Sequence, residues 1–214
     1  MSADLLSVLY EDATLLVLDK PAGLLCVPGK GEDKQDCLSR RVQQHYADAL
    51  VVHRLDMATS GLLVMARGAT AQRALNEAFA NRQVHKHYVA VVDGLLAPAE
   101  DEWGQIDLPI LLDWLNRPRR IIDPQGKPSF SSWRVLEHNQ IGQTTRVELE
   151  PVTGRSHQLR VHLQAIGHPI LGDALYGTPA NLGKARRLLL HASRLELTHP
   201  VSRQAMVFSS DPPF

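Results

Sequence analysis

Apolar runs of strand length, each closed by a turn signal, recur along this chain and favour folds in which β-sheet predominates. The start, "SVLYEDATLLVLDKPAGLLCVPGK", gives short runs parted by Asp12-Ala13 and by Lys20-Pro21-Ala22-Gly23. Residues 49–53 and 62–66 read as strands on either side of a loop, 54–61. "HYVAVVDG" (87–94) is a strand ending at a turn, and "TTRVELEPV" sets Thr145, Val147 and Leu149 opposite Arg146, Glu148 and Glu150. "RLLLHASRLEL" reads as a strand pair or a bent strand, while residues 95–128, rich in Pro, Gly and Arg, read as irregular connections with short strands.

Helices are fewer. Leu38, Val42 and Tyr46 predict one near 35–46. Thr70 is a candidate cap for a second, whose apolar stripe is Ala71, Ala74, Leu75, Ala78 and Phe79. "TGRSHQLRVHLQAIGHP" opens with cap-type residues, aligns Leu159, Leu163 and Ile166, and is stopped by Gly167 and Pro169. These helices do not alternate regularly with the strands. The expected fold is therefore α+β, with a mostly antiparallel sheet rather than a doubly wound parallel one.

With 214 residues the chain has enough length for a sizeable core. No apolar run is long enough to cross a membrane, and Met1-Ser2-Ala3-Asp4 lacks the order of a signal peptide. Two cysteines, Cys26 and Cys37, form neither a disulfide scaffold nor a metal-ligand pattern, so a reduced, cytoplasmic protein is expected. Positive and negative side chains balance, yet "NRPRR" (116–120), Lys127, Arg134 and "KARR" (184–187) gather positive charge, opposite an acidic Glu100-Asp101-Glu102. Such a distribution lets a neutral protein carry a phosphate-tracking face, although composition alone favours ordinary solvated charge.

"VVHRLDMATSGLLVMA" (51–66) carries the strongest chemical signal. It places His53, Arg54 and Asp56 between two strand-like runs. On its own, Asp56 is equally a turn residue, since "DMATSG" has turn chemistry. A kinase-type reading of "HRLD" fails, because no glycine-rich loop precedes it and no asparagine follows at the required spacing. Tyr88 is either a sheet tyrosine or an aromatic platform for a nucleobase. Arg155 sits at an expected helix N-terminus, where the dipole disfavours a cation unless it faces an anion. Histidines 157, 162, 168 and 191 lack zinc spacing and are expected to pack and hydrogen-bond.

Taken in order, "LVLDKPAGLLCVPG", "VHRLDMATSGLLVMA", "KHYVAVVDG", "NRPRR…GKPSFSSWRVL", "TGRSHQLRVHLQAIGHPILGDALYG" and "LLLHASRLEL" resemble the RluA-type family of RNA pseudouridine synthases. The resemblance covers nearly the whole chain. It implies a long, mixed, mostly antiparallel sheet with flanking helices and a central active cleft. It also implies one catalytic domain over 1–214, like the family member without an N-terminal S4-like RNA-binding domain. By position it makes Asp56 the catalytic aspartate, Tyr88 the base-stacking aromatic, Arg155 the arginine paired with the aspartate, and Arg54 the residue that helps displace the target base. The implied substrates are stem-loops in large-subunit (23S) rRNA and the tRNA anticodon arm. Arg117, Arg119, Arg120 and Lys127 are RNA-contact candidates, and a monomer with no metal and no cofactor is expected. A catalytically silent RNA-binding module is the competing reading, though it has no need of Asp56, Tyr88 and Arg155 together.

The implied reaction moves the bond at C1′ of ribose from N1 to C5 of uracil. It is an isomerisation. An ionised carboxylate serves it by attacking C1′ or by taking a proton from C2′, and the sequence leaves both routes open.

Overall fold

Residue Lys20 ends a strand whose every earlier position but one is buried, and that strand organises the N-terminal part of the chain. The computed structural model describes residues 6–214; the Met1-Ser2-Ala3-Asp4 segment lies outside them. In chain order the first elements are β1 (Ser7–Glu11), β2 (Leu15–Lys20), α1 (Leu38–Gln43), β3 (Ala49–Val51), β4 (Ser60–Arg67) and α2 (Gly68–Ala80). There follow β5 (His85–Asp93), β6 (Gly104–Asp107), β7 (Ile110–Leu112), β8 (Arg120–Ile122), β9 (Phe130–Asn139) and β10 (Thr144–Pro151). The last are α3 (Gln158–Ala165), α4 (Pro179–Leu182), β11 (Leu190–Thr198) and β12 (Ala205–Ser209). The fold is α+β, and nearly all its strand pairs are antiparallel. No helix among the described residues is long and apolar enough to cross a membrane.

These elements form two compact units. One joins the chain through Lys86 to His191–Pro213, and the other comprises His87–Leu190 with Phe214.

In the first unit β2 and β4 pair antiparallel from Leu15↔Ala66 to Lys20↔Gly61. Both are buried along almost their whole length, which is why "LLVL" and "LLVMA" are continuously apolar instead of alternating. β1 covers the far edge of β2, β3 pairs with the end of β4, and α2 packs on β3 and β4. The expected stripe on α2 faces inward, with Ala71 and Leu75 buried and Ala74, Ala78 and Phe79 partly so. Its cap differs from expectation. Gly68, at φ +78°, turns the corner directly from β4, with its N–H donating to the Asp48 carbonyl at 2.9 Å. Thr70 thus lies inside the first turn. "LLCV" is not a strand; Leu25 and Cys26 use their carbonyls to accept from Leu38 and Ser39.

β11 enters the same unit as one continuous strand, with β12 antiparallel beside it, so of the two readings of "RLLLHASRLEL" the strand pair is replaced. Its start runs parallel to β4, His191 opposite Ser60 and Ala192 opposite Gly61. The backbones come very close there: a Cβ on Gly61 would lie 2.3 Å from the Ala192 carbonyl oxygen, and Gly61 has φ +108°.

In the second unit β10 is flanked by β5 and β9, and β6 lines the outer edge of β9. The expected alternation holds, since Thr145, Val147 and Leu149 are all fully buried. β7 and β8 form a separate hairpin whose base packs with α3 through Ile110, Val161, Tyr176 and Ile122. Helix α3 starts at Gln158, three residues later than Arg155, because His157 takes a left-handed conformation and becomes the N-cap. It ends as expected at Gly167, φ +86°. There the N–H groups of Gly167 and His168 close onto the carbonyls of Gln164 and Leu163.

Replacing Gly61 with Ala combines a disfavoured φ with a clash against fixed backbone. We expect Gly61→Ala to cost about 2–4 kcal/mol, read as a lowered urea midpoint at unchanged slope. An unchanged midpoint would show that β4 and β11 are not closely apposed.

Candidate active site

The loop between β3 and β4 carries Arg54 and Asp56, and each residue around them is fixed by a different contact. The side chains alternate as in extended chain: Arg54 is exposed, Leu55 buried and Asp56 half-buried. His53 stacks its ring on Phe79 at 4.6 Å, and its Nε2 accepts the Val64 N–H at 3.0 Å. Leu55 donates its N–H to Cys26 Sγ, and the Cys26 thiol donates back to the Leu55 carbonyl, both at 3.2 Å. The Met57 carbonyl accepts from Gly23 N–H at 2.8 Å and from Lys20 Nζ at 3.1 Å. Thr59 closes the turn by donating its N–H to the Asp56 carbonyl at 3.1 Å.

Lys20 was legible in "LDKPAG" only as part of a turn, yet it is fully buried. Its ammonium donates to the carbonyls of Pro21, Leu24 and Met57. A buried cation is tolerated when carbonyl dipoles replace its water, and here they also tie the 20–25 turn to the residue after Asp56. Burial, first, pushes the Cys26 thiol up; the Leu55 backbone hydrogen bond and then Lys20 and Arg54 oppose that rise, while Asp56 adds to it.

His53 is pushed down to about 3, first by burial and then by the nearby Lys86 ammonium. Its accepting Nε2 agrees with a neutral ring. The histidine of "HRLD" therefore braces the loop and is not a proton donor at neutral pH.

Tyr88 and Arg155 belong to the second unit. Tyr88 lies on β5 opposite Leu149, on the same face as Ala90 and Val92, and is 9% exposed. Arg155 is exposed, and its Nε donates to the Pro128 carbonyl at 3.3 Å. The loop beneath it is tied down by Gln158, whose Oε1 accepts from Arg155 N–H and Thr153 Oγ1 while its Nε2 donates to Phe130 O and Ser131 Oγ.

Of the basic residues, Arg117, Arg119 and Lys127 are exposed and Arg120 is half-buried, all on or beside the β7–β8 hairpin. Two others are already committed. Arg134 pairs with Glu148 at 2.7 Å and with Glu102, and Lys184 pairs with Asp93 at 2.5 Å. The histidines outside the loop are engaged as well: His162 with Ser131 and the Leu108 carbonyl, His168 with the Asp93 carbonyl, His191 with Ser60 and Ser210, and His157 with Tyr176. Among the described residues no three His, Cys, Asp or Glu side chains are grouped to hold a metal ion.

A fixed half-buried carboxylate two residues from an exposed guanidinium suits chemistry on an anionic polymer, and the comparisons agree. A sequence profile described as RNA pseudouridylate synthase matches residues 14–165. The chain belongs to that family, as an RluA-type member, and is an isomerase acting on RNA. It is 47% identical to the dual-specificity RNA pseudouridine synthase RluA of Escherichia coli K12 over 210 residues, 98% of this chain and 94% of that one. The RluA of Yersinia pestis is 46% identical over 97% of this chain and 99% of its own. Among solved structures, human RNA pseudouridylate synthase domain containing 1 superposes with a TM-score of 0.81 at 30% identity. That match covers 100% of this chain and 86% of the human one.

The depressed His53 gives a pH test. The unfolded chain protonates this histidine below about 6.5 and the folded chain only near 3. Within that window the unfolded state binds the extra proton, so His53 lowers stability as pH falls from about 6.5 toward 3. His53→Gln keeps an acceptor for Val64 and removes the titration. Its stability should fall less steeply over pH 6.5–4.5, by up to about 1.4 kcal/mol per pH unit, in urea titrations. Parallel pH profiles for the two proteins would refute the buried neutral ring.

Proposed function

We propose that this chain, acting as one catalytic domain over 1–214, isomerises specific uridines to pseudouridine in stem-loops of large-subunit (23S) rRNA and the tRNA anticodon arm. Its relatives' description as dual-specificity enzymes supports two RNA classes. The observation that carries the site assignment is the loop bearing Asp56, where Lys20, Gly23, Cys26 and His53 hold the flanking backbone.

In this reading Asp56 is the reacting carboxylate. The N1–C1′ bond breaks, the uracil turns, C5 joins C1′, the hydrogen on C5 leaves to solvent as a proton, and N1 takes one proton up. The carboxylate either bonds C1′ for the interval or removes the C2′ proton that is later returned; both schemes balance without an oxidant or a group donor. A uridine stacked in a loop exposes neither carbon, so it is extruded at a cost of a few kcal/mol. Arg54, exposed beside Asp56, fills the space left behind. Tyr88 stacks on the extruded base. Arg155 supplies the guanidinium that pairs with the carboxylate; within its own unit that side chain holds one long bond, to Pro128, among the described residues. Arg117, Arg119, Arg120 and Lys127 contact phosphates, and the chain works as a cytoplasmic monomer without a cofactor.

Asp56→Asn preserves shape and removes the anion. It should reduce tritium release from RNA labelled at uracil C5 by at least about a thousandfold while RNA affinity changes less than about threefold. Retained turnover would remove Asp56 from the chemistry, and loss of turnover by wild-type protein would favour the silent RNA-binding module.

Tyr88→Phe keeps the ring and should bind RNA as wild type does, whereas Tyr88→Leu should lose roughly 1–3 kcal/mol of stacking. Equal binding and turnover in both variants would make Tyr88 a packing residue. A turnover defect in the Phe variant alone would assign the hydroxyl a role.

A further inference from the structure

The β7–β8 hairpin has a packed base and an open tip. At the base Ile110 and Ile122 join Val161 and Tyr176, the Arg120 N–H donates to Tyr176 Oη at 2.8 Å, and the Arg119 guanidinium lies over the Tyr176 ring at 5.8 Å. The 113–119 turn is itself ordered. Both oxygens of Asp113 accept from Asn116, through its backbone N–H and its side-chain amide, and Asp113 N–H donates to the Arg119 carbonyl. At the tip, however, Trp114 is 65% exposed and Leu115 92% exposed. The Arg117 guanidinium stacks over the Trp114 ring at 4.1 Å from its centroid.

An exposed tryptophan on a fixed turn has an open apolar surface that nothing in its own unit covers. The stacked cation makes that surface one for a particular class of partner. Arg117, Arg119 and Arg120 form no ion pair with a carboxylate among the described residues, and the single carboxylate in the turn, Asp113, is spent on Asn116. A protein groove would have to neutralise three guanidinium groups, whereas a nucleotide brings its own phosphate along with a flat base. An indole held rigid by an arginine is a stacking surface for any base, because every base has a π-face.

We propose that Trp114, backed by Arg117, is a second base-stacking platform that takes an unpaired loop nucleotide other than the target uridine. It rests on the RNA reading above and adds a specificity-determining residue to it. A platform that needs an unstacked base rejects fully paired helices, and it holds the substrate by a nucleotide that undergoes no reaction.

The test uses a stem-loop RNA carrying the target uridine, with binding measured in the Asp56→Asn background and turnover in otherwise wild-type protein. Trp114→Ala should weaken binding about 5- to 100-fold, while Trp114→Phe should recover most of it. Trp114 is largely exposed, so neither change should move the unfolding midpoint appreciably. Replacing loop nucleotides one at a time with abasic sites should identify one position at which wild type and Trp114→Ala bind equally. With fluorinated tryptophan, the three indoles give three resonances, and the one missing in Trp114→Phe should shift when the stem-loop is added. Equal RNA affinity for wild type and Trp114→Ala, in a protein that still turns over the stem-loop, would overturn the platform and leave the catalytic reading intact. Unchanged RNA affinity with a loss of self-association in sedimentation would overturn it in favour of a protein contact. If wild-type protein neither binds nor modifies the RNA, the RNA reading fails and the platform with it.

Discussion

A buried ammonium group holds the candidate site together. Lys20 has no exposed surface, and burying its charge is costly unless carbonyl oxygens stand in for water. Three do so, from Pro21, Leu24 and Met57, and they belong to two segments far apart in the chain. The carbonyl of Met57 is bonded again by Gly23, so the residue after Asp56 is fixed from two sides. A hydrophobic residue at position 20 would fill the space but would take this donor from the Pro21 and Leu24 carbonyls. The placement of Asp56 thus depends on how the backbone next to it is held.

The same device recurs wherever a loop must be rigid. Gln158 uses its side-chain amide to bind the 153–155 loop to β9, and the Cys26 sulfur both accepts from and donates to Leu55. Asp173 is a further case. It forms two bonds to the buried Arg160 and also accepts the N–H groups of Leu175 and Tyr176, which orients the phenol that supports the β7–β8 hairpin. Loops expose backbone groups that strands would pair, and buried polar side chains satisfy them at fixed geometry.

Much of the fold was legible because it is local. The stripe on α2, the alternation of β10 and the stop at Gly167 follow from the periods of helix and strand and from the conformational freedom of glycine. The sequence also pointed to Asp56 and Arg54, through the oddity of charges set between strand-like runs. What it hid is non-local. Lys20 looked like an ordinary turn lysine, because its acceptors include an oxygen 37 residues away. Arg134 and Lys184 counted as free positive charge until the fold brought Glu148 and Asp93 beside them. The displaced start of α3 had another cause: His157 takes a left-handed conformation, which has no composition signature. A local hint of the role of Lys20 is its place in "LDKPAG", directly after an apolar run and before a proline that offers no N–H.

The discontinuity of the first unit bears on the order in which its contacts can form. The start of β4, immediately after the Asp56 loop, is closed by His191, whose Nδ1 lies 2.8 Å from Ser60 Oγ across 131 residues of sequence. Its Nε2 continues to Ser210 Oγ, and that hydroxyl donates to Asp19 on β2. A ribosome making this chain releases β2 and β4 long before β11 and the residues beyond it. The side-chain contacts at the start of β4 are therefore completed only when the last strands of the chain have been made.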